Sequence, residues 1–258
     1  MSVTSELRDD GIRVVTMDHP PVNALTVQGW FDLADTLDAA GADAATKVVV
    51  LRAEGKGFNA GVDIKEMQNT TGFDALIGAN KGCYAAFKAV YECAVPVIAA
   101  VHGFCLGGGV GLAGNSDIVV ASDDAYFGVP EVNQGALGAA THLARLVPQH
   151  LMRTLFFTAR TIPAADLVQH GSVFDVVPRD QLDELALGLA AEIAEKDGRV
   201  TRAAKEALNG IDPIDVNRSY RFEQGFTMEL NLMGVSDELR DDFAGTDKAQ
   251  TKQARSGR

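Results

Sequence analysis

The chain has 258 residues, 47% hydrophobic and 22% charged, which supplies a substantial core and excludes a disordered chain or a disulfide-stapled mini-scaffold. Lys and Arg number 23 against 35 Asp and Glu, a net charge of −12, so long-range electrostatics oppose nucleic acid and anionic membrane surfaces as partners. Three cysteines without C-x-x-C spacing and five scattered histidines predict reduced thiols and no metal.

The amino-terminal stretch is polar and acidic, without the basic region and long apolar run of a secretory leader, which predicts a cytoplasmic protein. Ile12–Met17 is short and β-branched and ends at His19-Pro20-Pro21, so a strand running into a loop is expected. In 26–40, Trp30, Leu33, Ala34 and Leu37 recur at helical spacing behind a Thr26 cap. KVVVLR (47–52) reads as a buried strand, 53–71 as a glycine-rich loop, 74–91 as a helix and 95–101 as a second buried strand.

Residues 94–116 carry no Asp, Glu, Lys or Arg, yet Pro96, His102 and the glycines predict a strand entering a glycine-rich turn rather than a membrane span. Further strands are expected at 117–121, 125–128 and 173–177, and helices at 138–159, 163–170, 178–196, 199–209 and 216–233, before a polar tail from about Phe243. The apolar helices of the last third should dock on the core or on a neighbouring subunit.

Gly109-Val-Gly111-Leu-Ala-Gly114 spells G-x-G-x-x-G, but only about seven residues separate Gly109 from the strand at Asp117. That is too short for the crossover helix of a dinucleotide fold. Ser116 lacks the following glycine of a nucleophile elbow and reads as a turn residue.

Three segments in fixed order, FNAGVDIKEM (58–67), VHGFCLGGGVGLAGNSDIVVAS (101–122) and FGVPEVNQGALGAA (127–140), resemble the crotonase (enoyl-CoA hydratase/isomerase) superfamily, as does PPVNAL (20–25). The resemblance implies an α/β fold: a crotonase-like spiral of ββα units over 1–195 with a helical carboxy-terminal region over 196–258. It also implies an acyl-CoA thioester substrate, no cofactor beyond the coenzyme A of that substrate, and a homotrimer or homohexamer. Matching positions place the two oxyanion-hole N–H donors at Val62 and Gly108, beside Gly61. Backbone donors aimed at one thioester oxygen stabilise the enolate charge that develops there.

Family hydratases carry two glutamates; here the first position is Gly111 and only the second, Glu131, remains. Two-carboxylate water addition is therefore disfavoured, Glu131 is the expected general base, and the space at Gly111 is expected to admit a bulkier acyl group. Ala60, Asp63 and Ile64 match positions that contact coenzyme A. Asn133 is a candidate for orienting a water. His142 reads either as a substrate contact or as a structural histidine, and Arg52, Lys56 and Lys65 are candidate phosphate partners or plain surface cations.

Within the family, RAEGKGFNAGVDIKEMQ, YECAVPVIAAVHGFCLGGGVGL, GALGAATHLARLVPQHLMRTLFFTA and SYRFEQGFTMELNL resemble the ring-opening hydrolases of bacterial sterol catabolism. The implied reaction is hydrolysis of a C–C bond in the five-membered ketone ring of a methyl-dioxo-hexahydroindene-carboxyl-CoA. An enoyl-CoA isomerase or hydratase is the alternative enzyme reading. A non-catalytic crotonase-like assembly protein is the alternative of another class, opposed by the intact Gly108 and Glu131.

Overall fold

The computed structural model describes residues 3–70 and 72–240; the expected polar tail, and the part of the helical region beyond 240, lie outside the described residues. Strands β1 (Val3–Leu7), β2 (Ile12–Met17) and β3 (Val48–Ala53) are followed by β4 (Val97–Val101) and β5 (Phe104–Leu106). Strands β6 (Ile118–Ser122), β7 (Tyr126–Gly128), β8 (Thr161–Pro163) and β9 (Val176–Val177) complete the set. The larger sheet runs β1-β2-β3-β4-β6-β9, parallel except for the β1–β2 pair, and the smaller runs β5-β7-β8.

The connections form the expected spiral. β3 leads to Asn59, which bridges Cys105; β4 leads into β5; β6 leads into β7. The turns through β4 and β6 thus each lay one strand in the large sheet and one in the small, and the turn through β3 adds a single bridge beside β5. Helices α1 (Val27–Ala42), α2 (Ile64–Asn69), α3 (Asp74–Tyr91) and α4 (Gly108–Asn115) cover this spiral, with α5 (Ala140–Leu143), α6 (Gln149–Thr158) and α7 (Ala164–Val168) after them. The carboxy-terminal helices are α8 (Leu182–Ala194), α9 (Gly198–Gly210) and α10 (Val216–Leu232).

Both faces of the large sheet are buried, which is why its strands read as unbroken apolar runs rather than alternating ones. Ile12, Val48, Val50, Ile98, Ala100 and Val120 meet Leu182, Ala186 and Ala190 of α8. The intervening Val49, Leu51, Val97, Ala99 and Val101 join Trp30, Leu33, Leu37, Phe87 and Val90 of α1 and α3. Thr26 caps α1 as expected, its Oγ1 accepting from the Gly29 N–H at 3.1 Å.

Three expectations are corrected. β1 was not foreseen, because its exposed, polar VTSEL sequence is an edge strand held by pairing with β2. The loop at 53–71 contains α2, whose first turn is capped by the Asp63 carboxylate on the Lys65 N–H. The single helix expected over 138–159 is two, α5 and α6, because Pro148 has no N–H to continue an α-helical ladder. Residues 94–116 form β4, β5 and α4, and no helix among the described residues is long and apolar enough to cross a membrane.

The described carboxy-terminal helices are tied to the spiral by buried polar contacts. Arg202 donates to the carbonyls of Gly41, Asp43 and Thr46. Lys205, whose side chain is only 3% exposed, donates to both oxygens of Asp117 at 2.8 Å, and Asp117 also accepts from the Val97 N–H. Asp117 is thus a structural link between β4, β6 and α9. Lys205→Met removes one member of a largely buried pair and is expected to cost about 3–5 kcal/mol of stability, measured as a lowered denaturant midpoint.

Candidate active site

Two loops approach each other at backbone distance. The Leu106 N–H donates to the Asn59 carbonyl at 2.9 Å, and a Cβ on Gly109 would lie 2.5 Å from that same carbonyl oxygen. Gly61 has φ +89° and Gly107 φ +53°, backbone conformations that favour glycine. A Cβ on Gly108 would strike the Trp30 ring at 2.7 Å. Glycine is therefore a packing requirement at 107, 108 and 109 and a conformational one at 107.

This approach leaves two N–H groups pointing away from the protein's own acceptors. Leu25 and Val62 form a parallel bridge in which the Leu25 N–H bonds the Gly61 carbonyl and the Asp63 N–H bonds the Leu25 carbonyl, both at 2.9 Å. Parallel pairing of this kind uses the flanking residues and turns the Val62 N–H outward. Gly108 is the first residue of α4, so its N–H has no intrahelical acceptor and sits at the positive end of the helix.

The loop is braced from behind. Asn59 is fully buried; its Oδ1 accepts from the Gly61 N–H at 2.8 Å and its Nδ2 donates to the Asn23 carbonyl at 2.6 Å. Asn23 in turn donates to the carbonyls of Glu54 and Gly57. Neither asparagine was singled out from the sequence. Their signal was present, a polar residue inside the otherwise apolar or small FNAG and PVNA runs.

Glu131 lies in a 3-10 turn, Pro130–Gln134, that follows directly from β7. Its carbonyl accepts from the N–H groups of Gly135, which takes φ +62°, and Ala136. The residues of the turn are partly exposed, but carboxylate Oε2 of Glu131 is sealed from solvent and has no hydrogen-bond partner among the described residues. Oε1 packs where a Cβ on Gly107 would come within 2.5 Å. Burial, reinforced by the nearby Glu223 carboxylate, raises the Glu131 pKa from 4.5 to about 8.

The base and the two N–H groups line one cleft of about 150 Å³, together with Ala60, Gly61 and Ile64. The opposite wall includes Leu76, Cys83, Phe87, Leu137 and Tyr220. Burial pushes the Cys83 thiol and the Tyr220 phenol upward, so both are neutral at ordinary pH.

Four predicted site residues do not line the cleft. Asp63 caps α2. Asn133 is on the exposed side of the 3-10 turn, away from Glu131's buried tip. Gly111 opens no space for substrate, because a Cβ there would lie 2.2 Å from the Phe87 ring, which already occupies the place. His142 sits behind the wall, its ring centroid 4.8 Å from that of Phe87 and 4.9 Å from that of Tyr220.

The His142 tautomer follows from its partner. Asn115 Nδ2 donates to the Phe87 carbonyl, so Asn115 Oδ1 is the acceptor that faces His142 Nδ1 at 3.0 Å. Nδ1 therefore carries the proton and Nε2 is left bare in the core. Burial, with Arg145 nearby, lowers the His142 pKa to about 3, so the ring is a neutral brace for Phe87. Of the candidate phosphate cations, Arg52 is paired with Glu54 and Asp183, whereas Lys56 and Lys65 are exposed.

The model of a family described as enoyl-CoA hydratase/isomerase matches residues 8–230. A protein of Rhodococcus jostii named (7aS)-7a-methyl-1,5-dioxo-2,3,5,6,7,7a-hexahydro-1H-indene-carboxyl-CoA hydrolase is 64% identical, with 97% of each chain covered. A protein of the same name from Mycobacterium tuberculosis is 69% identical over 94% of this chain and 98% of its own. An enoyl-CoA hydratase/isomerase crystal structure from Pseudoalteromonas atlantica superposes with a TM-score of 0.84 at 25% identity, covering 95% of this chain and 98% of that one.

Two stability outcomes follow from this geometry. Gly111→Ala drives a methyl into the Phe87 ring and should cost about 1–3 kcal/mol, read by denaturant unfolding. Because the folded state holds the Glu131 proton that the unfolded state releases between pH 4.5 and about 8, stability from this group falls as pH rises through that window. Glu131→Gln should accordingly melt higher than the parent at pH 9 and no higher near pH 4.

Proposed function

The chain belongs to the enoyl-CoA hydratase/isomerase family, and from that premise we propose that it hydrolyses a C–C bond in the five-membered ketone ring of a methyl-dioxo-hexahydroindene-carboxyl-CoA, a step in steroid ring degradation. The observation that carries this reading is one carboxylate, Glu131, whose Oε2 is sealed from solvent and which lines the same cleft as two outward N–H donors. The identity of 64% and 69%, over nearly the full length, to hydrolases named for that substrate supports it.

In the reaction, the Val62 and Gly108 N–H groups hold the thioester oxygen. Glu131, once ionised, takes a proton from a water as that water adds to the ring ketone. The tetrahedral adduct collapses and breaks the bond between the former ketone carbon and the quaternary ring-fusion carbon. The electron pair is conjugated through the ring double bond to the thioester, where the charge rests as a dienolate oxygen between the two donors. Protonated Glu131 then returns its proton to carbon. The product is a single molecule, a six-membered ring still joined to coenzyme A and carrying the new carboxylate on a side chain, and no cofactor beyond the substrate's own coenzyme A is required.

One base and one oxyanion hole suffice for this chemistry. A hydratase using two carboxylates is disfavoured, because Phe87 fills the position beside Gly111 where the second would stand. An isomerase remains the rival, since it also needs one base and a dienolate site. The acidic balance of −12 argues against a nucleic-acid partner. Exposed Leu208, Ile211, Phe222, Leu232 and Met233 on and beside α9 and α10 support self-association into a homotrimer or homohexamer.

Incubation with the indene-dione thioester in oxygen-18 water should add one water and place label in a new carboxylate, read by mass spectrometry. Conjugation of a 3-enoyl-CoA without water gain on the ring substrate would support the isomerase instead. Glu131→Gln should lower kcat by about 10²–10⁴-fold with the fold retained. For the parent, kcat/KM should rise with pH and level off above about 8, as the free enzyme's base ionises.

A further inference from the structure

The cleft has a cation that the steps above do not use. Residues 235–240 form a helical turn after α10 that packs on the base-bearing turn, where Ser236 Oγ donates to the Gly135 carbonyl at 2.5 Å. Arg240 is the last described residue of this turn, and its side chain, only 13% exposed, reaches the same cleft as Glu131. Among the described residues lining that cleft it is the one cationic side chain.

Among the described residues its guanidinium is only partly engaged. Nη2 donates to Asn231 Oδ1 at 2.9 Å and to Asp237, an aspartate 71% exposed and so a weakly neutralising partner. Nε and Nη1 have no acceptor among the described residues. Arg240, Met67 and Leu76 also line an adjoining cavity of about 400 Å³, which leaves room at this end of the cleft for a side chain released from a ring.

Resting on the ring-opening reading above, we propose that Arg240 receives the carboxylate that hydrolysis creates. The substrate's ring ketone is neutral. Addition of water and loss of the ring C–C bond turn its carbon into a carboxylic acid that ionises, so the product carries one negative charge more than the substrate. Without a counter-ion this anion would be released into a cleft that already holds the Glu131 carboxylate and has Glu223 near its base. A half-engaged guanidinium offers charge-assisted donors to it. Arg240 thereby selects acyl groups that yield a carboxylate at that place, while taking no part in the proton transfers.

The test measures binding by calorimetry to the intact protein, using the ring-opened CoA thioester, the methyl ester of its side-chain carboxyl, and coenzyme A alone. The parent should prefer the carboxylate over the ester by about tenfold or more, as expected for hydrogen bonds to a charged group. Arg240→Gln should collapse that preference to within about twofold and leave coenzyme A binding unchanged, and Arg240→Lys should keep part of it. A parent that binds acid and ester equally, or an Arg240→Gln variant that keeps the full preference, overturns the assignment. Equal losses for thioester, ester and coenzyme A in the variant would place the guanidinium on the coenzyme's phosphates and overturn it too. Failure of the parent to open the ring refutes the proposed function, a result separate from any of these.

Discussion

The hydrogen bond from the Leu106 N–H to the Asn59 carbonyl joins the turn after β3 to the small-sheet strand β5, and the site depends on it. It draws two backbone loops so close that no side chain fits between them at 109, while the Trp30 ring closes the space at 108. The same approach orients Val62 and Gly108 with their N–H groups unspent. Such donors are fixed before any ligand arrives, so little reorganisation is needed when charge develops against them. Asn23 and Asn59 make this geometry durable by occupying the loop's remaining backbone groups from the buried side.

The base is held by a different principle. β7 continues the small sheet beside β5, and Gly107 donates to the Gly128 carbonyl, so the strand that positions the oxyanion loop also delivers the chain to Pro130 and Glu131. The Oε2 of Glu131 is then denied solvent and has no partner among the described residues. This costs stability once it ionises, and it gives the group a proton affinity suited to exchanging protons near neutral pH. The unpaired Oε2 is thus coherent with a reacting group rather than with a packing defect.

Trp30, Phe87, His142 and Tyr220 stand behind the cleft in edge-on and tilted contacts with centroids 4.8–5.6 Å apart. Phe87 is the centre of this wall. Its ring takes the volume beside Gly111, His142 braces it, and its carbonyl fixes Asn115. The absence of a carboxylate at 111 and the presence of the ring are therefore one feature seen from two sides.

The sequence by itself determined the alternation of strand and helix through the core, apart from β1, α2 and the break between α5 and α6, because these depend on local periodicity and turn chemistry. It made the glycine-rich oxyanion segments, and Glu131 as the single carboxylate of its motif, legible through the resemblance of short motifs in fixed order to the family. It could not place Asn133, His142 or the volume at Gly111. Each depends on which face of a turn is exposed or on a residue more than twenty positions away, as with Phe87 against Gly111. It also passed over Asn23, Asn59 and Arg240, polar residues whose importance lies in partners supplied by other elements. Only the tertiary structure decided these, because burial and orientation are properties of the packed chain and not of any window along it.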